Sequence, residues 1–200
     1  MHALHDLYVA LAGALDGSLP IEMAGKEALL EHADHAFSDP ELAAPLPKSI
    51  ADVMSEPDAH SCCDLLASAP LPWAPPLVTN NRDYVALSAN KALVELIGPE
   101  GLVTNHTIRM GVYGIIPGVE YGVRTHPAEE LFVMIAGRAD WLTGEGAYAE
   151  HCIGARLHHP SMLPHATRTQ DRAFMSIYIW TGEVSFENYV YSGIPGGASN

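Results

Sequence analysis

Two glycine-bounded stretches constrain the fold of this chain more than any other feature. The first spans 118–137 and contains His126 and Glu130, and the second opens at Gly154 and ends in His165. Imidazoles and a carboxylate from separate stretches can converge on one cation only if the fold brings distant residues together. The second stretch follows the first after about one hairpin. Together they predict a metal site inside a small β-barrel.

The spacing of the candidate ligands supports this interpretation. His126 and Glu130 lie four residues apart, which places both side chains on one face of a continuous strand. His165 follows Pro164 and must come from a neighbouring strand. We therefore predict that His126, Glu130 and His165 bind one divalent metal. Two histidines and one carboxylate leave coordination positions free for water, substrate or dioxygen, which suits Fe(II). Mn, Co, Ni and Zn are equally compatible with this ligand set.

Helical patterns fill the N-terminal third of the chain. Leucine and tyrosine side chains at helical spacing predict a helix over 2–16, which ends at Asp16 and Gly17. A second amphipathic pattern predicts a helix over 20–37. The segment 48–68 is expected to contain one or two short helices.

The pattern changes after a proline-rich segment. Four prolines within 69–77 exclude a regular helix and predict an extended connector. Beyond it, β-branched and aromatic runs are separated by glycine turns at 107–118, 129–146 and 171–182. Such short strands are typical of a jelly-roll-like barrel with room for a ligand. We predict a mainly β protein with a helical region over 1–75 and a single β-barrel over 76–200.

The charge of the chain restricts its partners. It carries 24 acidic and 10 basic residues, a formal net charge of -14. That charge repels a phosphate backbone, and no Lys/Arg cluster offers a local exception. We expect neither a nucleic-acid nor an anionic-membrane partner. A small carboxylate would need a local positive centre, which a metal together with Arg124 would supply.

The cysteines and the N-terminus indicate the compartment. Cys62, Cys63 and Cys152 form neither a disulfide framework nor a CxxC motif, which favours a reducing environment. The N-terminus lacks the basic region of a signal peptide. No uncharged apolar run reaches the length of about 20 residues needed to span a bilayer. We expect a cytoplasmic protein.

The two stretches resemble the motifs of the cupin family. The first cupin motif is a glycine, five residues, His-x-His, three or four residues, Glu, six residues and a glycine, and here Arg124 replaces its first histidine. The second motif matches at Gly154, Pro160 and His165 but departs from the pattern at Met162 and Thr169, where the family has glycine and asparagine. A guanidinium has no lone pair for a metal, so Arg124 is predicted to bind a substrate carboxylate or to be a solvated strand arginine.

The whole layout is similar to that of the cupin-type dimethylsulfoniopropionate lyases and their lyase-like relatives. A helical N-terminal third precedes one barrel with the sequence Y-x-x-x-x-H-P-A-E-E, and the resemblance extends to Tyr121, His126, Glu130, His165 and Trp180. It implies a divalent metal and a tyrosine base that cleave dimethylsulfoniopropionate to dimethyl sulfide and acrylate by β-elimination.

One further position departs from these lyases. Phe132 stands where the family has a tyrosine that is treated as ligand or base, which leaves Tyr121 as the candidate catalytic base. We predict that Phe132, Tyr178 and Trp180, together with Arg124, contact the substrate. Tyr113, Tyr178 and Trp180 lie on predicted strands, where an ordinary core role is the alternative.

Other functions and sites stay open at this point. An Fe(II) oxygenase would use the same open coordination positions, and a non-catalytic metal-dependent cupin would bind a small molecule without turnover. A homodimer through barrel edges is an open alternative, because many cupins pair in this way. His158 and His159 are adjacent, so they are predicted to lie in a solvated turn, and Cys62 and Cys63 are predicted to be structural.

Overall fold

The computed structural model of the chain describes residues 3–35, 45–76 and 78–195. Its helices are α1 (Ala3–Ala14), α2 (Pro20–His32), α3 (Lys48–Met54), α4 (Cys62–Ser68) and α5 (Arg82–Ser88). Its strands are β1 (Lys91–Gly98), β2 (Val103–Thr104), β3 (Ile108–Ile115), β4 (Glu120–Thr125), β5 (Glu129–Thr143), β6 (Ala149–Cys152), β7 (Arg156–His159), β8 (His165–Arg168), β9 (Phe174–Thr181) and β10 (Val190–Gly193).

The predicted helices of the N-terminal third are present. Helix α2 begins at Pro20, which fixes the first helical φ angle, and it ends at His32, earlier than predicted. Residues 33–35 of the predicted continuation form a turn and not helix, and residues 36–37 lie outside the described part of the chain. Helix α5 was not predicted. It begins after Asn81, whose side chain accepts hydrogen bonds from the backbone N–H groups of two residues in its first turn.

The strands form two packed sheets, which is the mainly β, cupin-like architecture that the sequence predicts. The first sheet has the order β2-β1-β3-β9-β5-β7, and the second has the order β10-β4-β8-β5-β6. The pairing path ends at β2 and at β10, so the predicted jelly-roll-like fold takes the form of a cupin-like sandwich that does not close into a barrel.

The long strand β5 joins the two sheets. Its first half pairs with β9 and β7, and its second half pairs with β8 and β6. A register shift lies between Met134 and Ala136, and Gly137 follows with a φ of 68°. A bulge beside a glycine bends a strand, so β5 passes from one sheet to the other at this point.

Alternation along the strands separates two packed regions. In β9, Met175, Ile177 and Ile179 belong to the apolar core that the N-terminal helices form with the outer face of the first sheet. Tyr178 and Trp180 point to the other face and belong to an aromatic cluster between the two sheets. The period of two thus directs aliphatic side chains to the helices and aromatic side chains to the interior of the sandwich.

Within the described ranges, every helix is too short or too polar to span a bilayer.

Candidate metal centre and cavity

The structure brings the three predicted metal ligands together. His126 follows the end of β4, Glu130 lies in β5 and His165 begins β8, and each is at most 3% exposed. The Oε2 atom of Glu130 lies 3.3 Å from Nε2 of His126 and 3.0 Å from Nε2 of His165. One ligand atom from each residue lies within 4.8 Å of the others, a spacing that a single metal ion can bridge.

The hydrogen bonds of the two imidazoles fix which nitrogen carries the proton. Nδ1 of His126 lies 3.1 Å from the carbonyl oxygen of Ala128, and Nδ1 of His165 lies 2.9 Å from that of Leu163. A carbonyl oxygen only accepts, so each Nδ1 carries the proton and donates it. In the neutral rings the Nε2 atoms therefore present lone pairs toward Glu130.

Three acceptors consequently face one another without a donor between them. Nε2 of His126, Nε2 of His165 and Oε2 of Glu130 are buried and make no hydrogen bond. Burial, together with the positive charge of Arg124, lowers the pKa of His165 to about 3, which keeps this imidazole neutral. A cation between the three atoms removes the conflict, so the residues fit a bound metal.

Glu130 is ready to coordinate as a carboxylate. A cation between Oε2 and the two Nε2 lone pairs would favour the ionised form of this carboxylate. Its second oxygen, Oε1, accepts a hydrogen bond of 2.6 Å from Nε1 of Trp180. The Trp180 ring also stacks on His126 at 4.1 Å between centroids. Trp180 therefore orients two of the three candidate ligands.

A cavity of about 510 Å³ adjoins this centre, a size typical of sites for small molecules. Glu130 lies in its wall, so the candidate centre is accessible to a ligand in the cavity. Eight aromatic residues contribute to the lining: Tyr84, Tyr113, Tyr121, Phe132, Tyr178, Trp180, Phe186 and Tyr189. The predicted contact residues Phe132, Tyr178 and Trp180 are thus all brought together around one space.

Arg124 also lines the cavity and is 2% exposed. It is therefore an inward-facing arginine and not the solvated strand arginine of the alternative prediction. Its Nη2 lies 3.3 Å from the Thr167 hydroxyl, whereas Nη1 is buried without a hydrogen-bond partner. A guanidinium with unused donors in an enclosed pocket is suited to a carboxylate ligand.

Tyr121 faces the same cavity although its spacing from His126 is odd. The pairing of β4 with β8 shifts its register between Tyr121 and Arg124. This irregularity turns both side chains to the inner face, which strict alternation would not allow. The Tyr121 hydroxyl is in hydrogen-bond contact with the hydroxyl of Tyr189, a cavity residue that the sequence reasoning missed.

Two basic side chains flank the Tyr121 ring. The Nζ atom of Lys91 lies 3.1 Å from the ring centroid, and Cζ of Arg124 lies 4.2 Å from it. Burial raises the pKa of Tyr121 well above its usual value, and Arg124 opposes this shift. Burial also lowers the pKa of Lys91 to about 6, assisted by the charge of Arg124. Lys91 was missed because a single lysine at the start of a strand carries no motif.

The second motif keeps its local structure despite its two departures. Met162 occupies the glycine position and adopts a φ of 62°, the only positive φ of a non-glycine residue in the described part of the chain. Its side chain is exposed, so no packing opposes this conformation. Thr169 occupies the asparagine position, where its hydroxyl donates to the carbonyl of Ile116 and accepts from the N–H of Val119. Neither departure removes a candidate ligand.

The prediction that the adjacent histidines lie in a solvated turn is wrong, because both lie in β7 and only His158 is partly exposed. His158 is partly exposed and lies 2.7 Å from Glu129, but His159 is 1% exposed in β7 and lies beside the candidate centre. Adjacent strand residues face opposite sides, and this alternation points His159 inward. His159 lies opposite Glu130 because β7 pairs with β5, and residue spacing along the chain does not reveal this pairing.

The comparisons with known proteins find similarity to one family of enzymes. Residues 63–176 match the family model of dimethylsulfoniopropionate (DMSP) lyase. The curated DMSP lyase DddQ of Ruegeria pomeroyi is 36% identical over 89 residues, a match that spans 44% of this chain and 44% of that relative.

Solved structures extend the likeness over the whole fold. The crystal structure of DMSP lyase DddQ from Ruegeria pomeroyi DSS-3 superposes with a TM-score of 0.67 at 26% identity, over 98% of each chain. One chain among the crystal structures of the DMSP lyases RdDddP and RnDddQII gives 0.68 at 24% identity, over 96% of this chain and 98% of that one. The helical extension and the sandwich are thus shared as one unit.

Proposed function

The chain belongs to the dimethylsulfoniopropionate lyase family, and we propose that it is a metal-dependent carbon–sulfur lyase that cleaves DMSP to dimethyl sulfide and acrylate. One observation carries the proposal. Three buried acceptor atoms of His126, Glu130 and His165 face one another without a donor, beside an aromatic cavity of small-molecule size.

His126, Glu130 and His165 would hold one divalent transition metal, drawn from Fe, Mn, Zn, Ni and Co. When bound there, such an ion supplies Lewis acidity that binds the substrate carboxylate and acidifies the adjacent C–H bond. The carbonyls of Ala128 and Leu163 keep both histidine rings in the tautomer that this role requires.

Tyr121 is the proposed catalytic base. Its oxygen, as phenolate, takes the proton from the carbon next to the carboxylate, and the electrons of that C–H bond form the C=C bond of acrylate. The C–S bond breaks with its electron pair on sulfur, so the sulfonium leaves as neutral dimethyl sulfide. The positive charge of Arg124 near the ring favours the phenolate, and Tyr189 is placed to donate a hydrogen bond to it.

The remaining cavity residues would bind the two charged ends of the substrate. The free Nη1 of Arg124 is suited to the carboxylate. The faces of Phe132, Tyr178 and Trp180 are suited to the dimethylsulfonium group, because aromatic rings attract cations that have left water. This division also explains why Phe132 is compatible with the reaction, since an aromatic face at this position needs no hydroxyl.

The test is headspace dimethyl sulfide from purified protein loaded in turn with each of the five metals and mixed with DMSP. We expect metal-dependent release that Tyr121→Phe lowers by about 10² to 10⁴. Tyr191→Phe is the matched control, because the Tyr191 ring stacks on Tyr121 but does not line the cavity. It should keep the rate within a few-fold.

Silence with every metal at a filled site would contradict DMSP as the substrate. Thermal stabilisation by DMSP without turnover would then favour the binding-protein alternative. Release that survives in Tyr121→Phe would contradict the assignment of the base and leave the lyase activity in place.

A further inference from the structure

His159 is a buried histidine that the ligand set leaves unexplained. It lies in β7 directly opposite Glu130 of β5 in the antiparallel register. Its Nδ1 is 3.4 Å from Oε2 of Glu130, the same oxygen that faces His126 and His165. Its ring stacks on His165 at 4.3 Å between centroids, with an angle of 8° between the planes. The ring is therefore held in place against the candidate centre.

The hydrogen-bond inventory of His159 differs from that of the two candidate ligands. Both of its ring nitrogens are buried, and neither makes a hydrogen bond. His126 and His165 each donate Nδ1–H to a backbone carbonyl, but no carbonyl takes the proton of His159. A buried imidazole without any partner is costly, so a position of this kind needs an explanation in function.

Glu130 is the acceptor that this imidazole faces. An imidazole carries at least one N–H in either protonation state, so His159 has a proton to donate. Oε1 of Glu130 already has a donor in Trp180, whereas Oε2 has none. Each carboxylate oxygen has two acceptor sites, so Oε2 can accept from His159 and still offer a lone pair to a metal.

We propose that His159 is a positioning residue of the metal centre, which donates Nδ1–H to Oε2 of Glu130 and fixes the orientation of that carboxylate. The inference rests on the metal site of the proposed function, not on its substrate. With Trp180 on one oxygen and His159 on the other, the carboxylate plane has one orientation. This matters more in a chain whose first motif has lost a histidine to Arg124, because fewer ligands remain to hold the ion.

The test measures Co(II) binding by visible absorption, in the absence of substrate. We expect His159→Ala to weaken Co(II) affinity about 10- to 100-fold, as loss of such outer partners does. His159→Phe keeps the ring volume without the donor and should lose as much. His159→Asn places an amide N–H near the position of Nδ1 and should recover affinity to within a few-fold of the unaltered protein.

His158→Ala is the matched control, because the neighbouring side chain faces the other way and pairs with Glu129. It should leave Co(II) affinity unchanged. Circular dichroism and thermal melting of each variant separate loss of affinity from loss of fold, and His159→Phe carries the test if the alanine variant does not fold.

Three results would overturn the inference. Unaltered affinity in His159→Ala and His159→Phe would mean that the imidazole does not act on the centre. Equal loss in His159→Asn with a changed Co(II) spectrum would mean that His159 binds the metal directly. No Co(II) binding by the unaltered chain would remove the metal site itself. Co(II) binding without dimethyl sulfide release would contradict only the proposed substrate.

Discussion

Two buried glutamates show how differently the two faces of the first sheet are built. Glu22, in α2, is fully buried, and its carboxylate accepts from the backbone N–H of Gly17 at 2.9 Å and from Arg156 at 3.0 Å. Glu130, inside the sandwich, has one oxygen facing three imidazole nitrogens without a hydrogen bond. The first carboxylate is satisfied within the chain, whereas Oε2 of the second keeps lone pairs that suit a cation.

The surroundings of the two glutamates repeat this difference. The core between helices and sheet is made of aliphatic side chains, with members such as Leu29, Ile50 and Ile177. The buried side-chain atoms without partners in the described part of the chain belong instead to residues of the aromatic interior or beside it, including Lys91, Arg124 and His159. One face therefore stabilises the fold, and the other keeps costly polar groups where a ligand can use them.

Glu130→Gln is expected to have the greatest effect, because it replaces the carboxylate of the candidate metal centre. The amide cannot coordinate as a carboxylate does, so metal affinity and lyase rate should fall by more than about 100-fold. The melting temperature of the metal-free protein should stay the same or rise, because the amide N–H can donate to an imidazole lone pair. Calorimetric metal titration and thermal melting check both parts. A strong loss of metal-free stability would contradict the account.

Lys91→Met tests whether the buried amine of Lys91, which makes no hydrogen bond, lowers the stability of the folded protein. Burial lowers the pKa of Lys91 to about 6, from an ordinary value of 10.5, so at pH 7 the unfolded chain binds a proton that the folded chain does not. The stability therefore falls as pH falls from about 10 to about 6 and levels off below.

We expect Lys91→Met to remove this dependence of stability on pH. At pH 7 it should stabilise the metal-free protein by roughly 2 to 4 kcal/mol, and at about pH 11 it should not change the stability. Urea unfolding across that pH range measures both. Lys48→Met is the control, since Lys48 is exposed and pairs only with Asp52 on the same helix. An unchanged pH slope in Lys91→Met would mean that this amine is charged in the folded protein.

Glu22→Gln is expected to have a smaller effect, which falls on the stability of the fold and not on metal binding. It weakens hydrogen bonds to Gly17 and Arg156, which should lower stability by about 1.5 to 3 kcal/mol. Metal affinity at a permissive temperature should change less than two-fold. Chemical denaturation is the measurement, with the exposed Glu27→Gln on the same helix as the control. If Glu22→Gln abolished metal binding, the helix-covered face and the interior face of the first sheet would not have separate roles.

The sequence predicted what depends on spacing along the chain. The β-branched and aromatic runs between glycine turns, with the intervals from His126 to Glu130 and from Gly154 to His165, led to the fold class and to the three converging ligands. These features are local, because residue spacing within strands and turns determines which face a side chain occupies.

The features it did not predict depend on pairing between distant strands. Tyr121 was predicted to reach the site, but the register shift of β4 against β8 that turns it inward was not. Tyr189 and Lys91 reach the same phenol from positions 68 residues downstream and about 30 upstream, through tertiary packing that no motif records. His159 was predicted to be solvated because its opposition to Glu130 appears only once β5 and β7 are paired.

Metal-dependent cleavage of DMSP is tested by the rate of dimethyl sulfide release as a function of metal occupancy. The metal would be removed from the purified protein with a chelator and then restored in steps, with metal content and headspace gas measured on the same samples. We expect no release from the metal-free protein and a rate that rises in proportion to occupancy until one ion is bound per chain. Release that persists without metal, or no release from the fully loaded protein, would contradict metal-dependent cleavage.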